Sequence, residues 1–266
     1  VKVVDEFRPK LFVFENVPGI LSAKNGEFLE KIKEAIDKAG YIVEHKTLTS
    51  KDFGVLQNRR RVILIGWKKK MKLEYPTFEK FPMQAEIMKD LFFDLPKLKP
   101  GEEKAPAKYT KPINEYLNKS KIRNGIDFTT QHVARFNNDR DLEIYRIAID
   151  LWVNKRKRLS YADLPDELKT HKNETAFLNR FQVVDPKGIS HTVVAHICAD
   201  GHYYIYPDLK QVRSISVREA ARIQSFPDDF FFEGGRTAAF KQIGNAVPPL
   251  MAEGIANKIK EMICQK

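Results

Sequence analysis

The sequence predicts an α/β fold in which a small strand–helix–strand–strand unit is followed by an irregular, mixed α+β region and a helical closing segment. Three observations predict it. Residues 1–67 alternate strand-like apolar runs with one helical period, residues 68–212 are punctuated by prolines, and residues 213–266 return to capped helical patterns. With 266 residues, 42% hydrophobic and 30% charged, the chain has material for one large domain or two moderate ones. No apolar run approaches a membrane span and no signal-peptide pattern is present.

Leu11 to Phe14, bounded by Pro9 and Pro18, reads as a short buried strand that ends in Glu15-Asn16-Val17. Ligands bind at such strand ends in open α/β sheets. A carboxyl group beside an amide suits the edge of a heterocyclic base, and the plainer alternative is a solvated loop. Asn25 is expected to cap a helix carrying Phe28, Leu29, Ile32, Ala35, Ile36 and Ala39, which Gly40 ends. Tyr41 to Leu48 and Val62 to Trp67 are the next strands. Before the last of them stand Gln57, Arg59, Arg60 and Arg61, and alternation sends Arg59 and Arg61 one way and Arg60 the other. Two arginines with Gln57 beside them suit a phosphate or a base carbonyl, or else a basic edge that discourages aggregation.

From Lys68 the prolines at 76, 82, 96, 100, 106 and 112 exclude long regular elements. Asp139 to Val153 is the clearest helix of this region. Arg156, Lys157 and Arg158 follow it, either to contact phosphate or to complement the helix dipole. Residues 181–184, 191–197 and 201–206 are strand-like. His191, His196 and His202 lie among them at spacings that fit no tight zinc motif, so no metal site is expected. Further on, Ser216-Val217-Arg218-Glu219 is a capping box, and Phe226-Pro227 ends its helix. Gln242 to Pro249 reads as a turn in which Gly244 permits close backbone approach, ahead of a final helix burying Leu250, Met251, Ile255, Ile259 and Met262. The two cysteines, Cys198 and Cys264, have no ligand spacing and point to a reducing, cytoplasmic setting. The net charge of +11 favours nucleic acid as partner.

Four of these stretches together resemble the cytosine-C5 DNA methyltransferases. Glu15-Asn16-Val17 is similar to the family's Glu-Asn-Val motif, and Gln57, Arg59 and Arg61, followed by Gly66, to its Gln-x-Arg-x-Arg motif. Arg213 to Asp228 resembles its penultimate motif, and Gln242 to Pro249 its Gly-Asn-x-Val-Pro-Pro motif. The resemblance implies a partial Rossmann-like S-adenosylmethionine-dependent methyltransferase sheet. Residues 1–67 and 213–266 would be its catalytic parts, and 68–212 a target-recognition domain. It also implies roles: Glu15, Arg59 and Arg61 catalytic; Asn16, Val17 and Gln57 around the substrate; Asn245 and Ala246 near S-adenosylmethionine; Arg213, Arg218, Arg156, Lys157 and Arg158 toward duplex DNA. The chemistry it implies is methylation of a flipped cytosine in a restriction-modification system.

The resemblance leaves out the family's Phe-x-Gly-x-Gly loop and its Pro-Cys dipeptide. The expectation is therefore a fragment or subunit that is inactive without an N-terminal methyltransferase half or companion subunit, which would bind most of the cofactor and would pair with the open edge of the first strand. The alternatives are a non-catalytic DNA-binding subunit or degenerate paralogue, and a relative acting on transfer RNA.

Overall fold

A continuous apolar run, Val62 to Trp67, sits at the centre of the first of two units. The computed structural model describes residues 1–81, 84–170 and 175–264; Pro82 of the proline series lies outside them. One unit comprises Val1–Gly54, Asn58–Phe81 and Leu250–Lys266, the other Val55–Gln57 and Pro82–Pro249.

In the first unit, α1 (Lys2–Phe7) precedes β1 (Leu11–Asn16), α2 (Glu27–Lys38), β2 (Tyr41–Thr49) and β3 (Arg60–Lys68). The sheet order is β1-β3-β2, antiparallel throughout. Because β3 is central, both its faces are covered. Val62 and Leu64 pack with Ile20 and Leu29 of the α2 side, while Ile63, Ile65 and Trp67 pack with Met251, Ile255 and Met262 of the closing helix. Gly66 lies opposite Phe12, and a Cβ there would come within 2.1 Å of the Phe12 ring. A side chain at this position would therefore displace the Phe12 ring.

Two local expectations are corrected. β1 is not a buried strand: it keeps the open edge expected of it, and Val13 and Phe14 are exposed at 43% and 42%. Asn25 does not cap α2: Asn25 and Gly26 both take positive φ (55° and 90°) and turn the chain into Glu27, a geometry that Asn and Gly tolerate.

In the second unit, β4 (Ala107–Lys108) pairs with β5 (Phe128–Thr129), and α3 (Glu115–Lys119) lies between them in sequence. Next come α4 (Asp139–Lys155), α5 (Val217–Ile223) and α6 (Arg236–Asn245). Asn138 caps α4 by accepting from Asp141 N at 2.8 Å. Ile144, Tyr145, Ala148 and Ile149 of α4 form a core with Tyr161, Phe181, Val183 and Ile205. The strand-like stretches of 181–206 form only isolated bridges, Val183 with Ile205 and Ile205 with Ser214, and Ala195–Cys198 is a 3-10 turn. Their apolar residues serve this core rather than a sheet.

The closing helix is α7 (Pro249–Cys264). The expected boundaries also shift. The first unit runs on to Phe81, since Tyr75 donates to Ile63 O (3.0 Å) and packs with Phe78 in the α7-side core. Residues 213–249 group with the second unit, and only Leu250 onward returns to the first. Gln242 to Asn245 form the last turn of α6 rather than a loop. Close approach at Gly244 holds: a Cβ would stand 2.3 Å from Ala195 N.

Candidate functional site

The C-terminal end of β1 carries the candidate site of the first unit. Glu15 stands opposite Ile63 in the β1–β3 register, so Arg61, two residues before Ile63, is its diagonal neighbour on the same face. Arg61 Nε meets Glu15 Oε1 at 2.6 Å. Arg61 Nη1 donates to Arg60 O at 2.8 Å, which fixes the fork. Burial lowers the Arg61 guanidinium from its usual value while Glu15 opposes the shift. Arg61 remains a cation at any ordinary pH. The Glu15 side chain is 31% exposed while its Oε1 is held. An anchored, partly exposed carboxylate is suited to gripping a polar heterocycle edge.

Asn16 Oδ1 accepts from Val17 N at 2.8 Å, a local turn that directs the chain away from the strand. Val17 is exposed. Arg59 is buried, and its backbone exchanges hydrogen bonds with Ser50 (Ser50 N to Arg59 O 2.9 Å, Arg59 N to Ser50 Oγ 3.2 Å). Arg60 faces solvent, as alternation requires. The structure thus brings Glu15 and Arg61 together directly.

Three of the expected site residues lie buried in the second unit. Gln57 is fully buried; its Nε2 donates to Gln224 Oε1 (2.9 Å) and its Oε1 accepts from Val193 N (2.6 Å), so its carboxamide ties loops together. Arg213 is fully buried and bidentate on Glu219, at 2.7 Å to each oxygen. Burial would raise the Glu219 carboxyl, but Arg213 outweighs it and holds the group below its usual range. Arg218 donates to the carbonyls of Thr130, Pro227 and Phe230. Neither guanidinium is accessible to DNA phosphate.

Sequence reasoning missed the network to which they belong. Arg222 meets Asp94 Oδ1 and Asp228 Oδ2 at 2.6 Å each, and Tyr109 donates to Asp228 Oδ2 at 2.7 Å. Burial pulls Arg222 down, but Asp228 and Asp94 more than offset it. The available signal was the i,i+4 pair Arg218 and Arg222 on a helix that also carries Val217, Ala220, Ala221 and Ile223.

Arg156, Lys157 and Arg158 are exposed just beyond α4. The Arg156 and Arg158 guanidiniums lie 5.4 and 4.3 Å from the Trp152 ring centroid, and Arg156 also pairs with Asp185 at 3.0 Å. Asn245 is exposed at the end of α6, with Ala246 half-buried beside it. His191 Nε2 contacts Tyr203 O, His196 pairs with Asp200 at 3.3 Å, and His202 Nδ1 meets Tyr145 OH at 2.9 Å. Among the described residues no three His, Cys, Asp or Glu side chains gather as a metal site, and no helix is long and apolar enough to cross a membrane.

The profile of the family described as C-5 cytosine-specific DNA methylase matches residues 1–261. The chain is 48% identical over 279 residues to type II methyltransferase M.Bpa9945I of Bacillus paralicheniformis, covering 98% of this chain and 62% of that protein. It is 33% identical over 279 residues to type II methyltransferase M.XorII of Xanthomonas oryzae pv. oryzae, covering 100% and 62%. The chain therefore spans about 62% of the length of these curated relatives. In fold it is similar to a crystal structure of a DNA modification methyltransferase encoded within an E. coli prophage (TM-score 0.66, 23% identity, covering 98% of this chain and 71% of that one).

Proposed function

Because the chain belongs to the C-5 cytosine-specific DNA methylase family, we propose that it carries the base-holding part of a type II DNA cytosine-5 methyltransferase serving a restriction-modification system. The Glu15–Arg61 pair at the end of β1 carries this reading. Cytosine C5 becomes reactive only when a nucleophile adds at C6 and N3 takes up a proton, and the base must leave the duplex for this, at a cost of a few kcal/mol. In the flipped base, the Glu15 carboxyl group grips the N3 and exocyclic-amine edge and shares the N3 proton. Arg61 holds the carboxylate in place through Oε1. Arg59 stiffens the entry to β3, and Asn16 and Val17 shape the rim.

S-adenosylmethionine supplies the methyl group when bound. The exposed Asn245 carboxamide, with one acceptor and two donors, fits a polar edge of that molecule, and Ala246 lies beside it. The nucleophilic thiolate and most of the cofactor contacts belong, in this reading, to a companion segment or subunit. Exposed Val13 and Phe14 on the open edge of β1 support a docking role for that strand.

The test is transfer of labelled methyl from S-adenosylmethionine to duplex DNA by the complete enzyme. Glu15→Gln is expected to lower kcat by about 10²-fold or more with DNA affinity retained. Undiminished turnover in that variant would remove Glu15 from the chemistry, and methylation of transfer RNA in place of duplex DNA would reassign the substrate.

A further inference from the structure

The second unit contains a cavity of about 720 Å³ that the reading above does not use. Its floor is apolar and aromatic: Val194, Ile197 and the stacked pair His191–Tyr204, whose ring centroids are 4.8 Å apart. Its polar groups converge from one side. Asp200 Oδ1 accepts from His202 N (3.1 Å) and Oδ2 faces His196 Nε2 (3.3 Å), while the His196 side chain is 70% exposed.

The lip is unusual. Phe177 has a positive φ of 54° and is 75% exposed, a costly backbone geometry for a bulky residue. Arg180 holds it there, donating to Ala176 O (2.8 Å) and Phe177 O (2.9 Å) while its guanidinium lies 3.8 Å from the Tyr161 ring centroid. The fold thus keeps an aromatic ring in solvent beside an apolar cavity.

Cations adjoin the same wall. Arg158 Nη1 donates to Gln182 Oε1 at 3.3 Å, which links the exposed cluster Arg156, Lys157 and Arg158 to a residue lining the cavity. A polyanion drawn to that cluster therefore passes the cavity mouth. An intact duplex offers its base edges only at the groove floor, where protruding side chains reach them, so a concave cavity can be filled only by a group that leaves the stack. The volume is in the range that encloses a small organic ligand. Aromatic walls with a carboxylate and imidazoles among the lining suit an unstacked base.

We propose that this cavity receives a second base of the bound duplex, outside the target cytosine, and thereby sets the preference at that position of the recognition sequence. Phe177 stacks on the base, and Asp200 with His196 reads its edge. The proposal rests on the DNA-methyltransferase reading above.

The experiment uses the complete enzyme on a random-sequence duplex library, with methylated cytosines located by bisulfite sequencing. Wild-type enzyme is expected to show a preferred base at each recognition position. Phe177→Ala and Asp200→Asn are expected to relax that preference at one shared position by about tenfold or more, with the loss confined to sequences that carry the preferred base there. In parallel, duplexes carrying 5-iodouracil at single positions are irradiated, and a crosslink from that same position to the Phe177 or Tyr203 peptide is expected. Unchanged preferences in both variants, or a loss uniform across all sequences, would overturn the proposal while target methylation still upholds the reading beneath it. A wild-type enzyme that methylates no cytosine would sink that reading instead.

Discussion

A single contact, Arg61 Nε to Glu15 Oε1, decides what the β1 end can do, because it anchors a carboxylate that stays partly exposed. A second residue-scale consequence concerns pH. Burial lowers His191 from 6.5 to about 4, against its contact with Tyr203 O, and burial likewise lowers His132 and His202. Their folded-state values lie below the unfolded value, so as pH falls below 6.5 the unfolded chain takes up protons first and stability declines. His191 alone should remove about 2 kcal/mol between pH 7 and pH 5. Urea unfolding at the two pH values measures the drop, and His191→Phe is expected to reduce it. His132 was not singled out in the sequence; it is buried between Ser216 Oγ (2.9 Å to Nδ1) and Pro96 O (2.8 Å to Nε2), a pairing of residues far apart in the chain.

At the scale of elements, the helices show which local signals survive folding. The capping box forms with both arms: Ser216 Oγ accepts from Glu219 N at 3.1 Å, and Ser216 N donates to Glu219 Oε2 at 2.7 Å. Ser216→Ala is expected to cost about 1 kcal/mol from the cap. It also removes the hydroxyl partner of His132, so a measured loss well above that value would reveal the coupling. α6 depends on contact rather than capping. At Gly244 an added Cβ would meet Ala195 N at 2.3 Å and Val194 C at 2.4 Å, both backbone atoms that cannot rotate aside. Gly244→Ala is therefore expected to lower Tm sharply, by several degrees or more for a loss of about 1–3 kcal/mol. A thermal melt of the variant within a degree of wild type would contradict the packing described.

For the whole molecule, the net charge of +11 already contains the buried arginines Arg213, Arg218 and Arg222 with the buried carboxylates Glu219, Asp94 and Asp228, which cancel, so the excess lies on other residues. Arg213, Arg218 and Arg222 neutralise internal carboxylates and carbonyls, so they add nothing to phosphate binding. Arg156, Lys157 and Arg158 remain available. Replacing all three by alanine is expected to weaken DNA binding equally across sequences and to make the slope of log K against log salt shallower by up to about 3. Titrations at several salt concentrations test this; an unchanged slope would place the DNA elsewhere.

The sequence by itself determined the strand–helix–strand–strand order, the capping box, the opposite directions of Arg60 and its neighbours Arg59 and Arg61, and the close approach at Gly244, because each follows from periodicity or local chemistry within a few residues. It also carried the family resemblance through four short motifs. Only the tertiary structure decided that Val13 and Phe14 are exposed, that Arg59 and Arg61 are the inward pair, that 213–249 group with the second unit, and that Gln57, Arg213 and Arg218 face inward. An arginine has the same local signature whether its partner is a phosphate outside or a carboxylate inside. Asp94 lies 128 residues from Arg222, and the burial that pairs them depends on contacts no local pattern encodes.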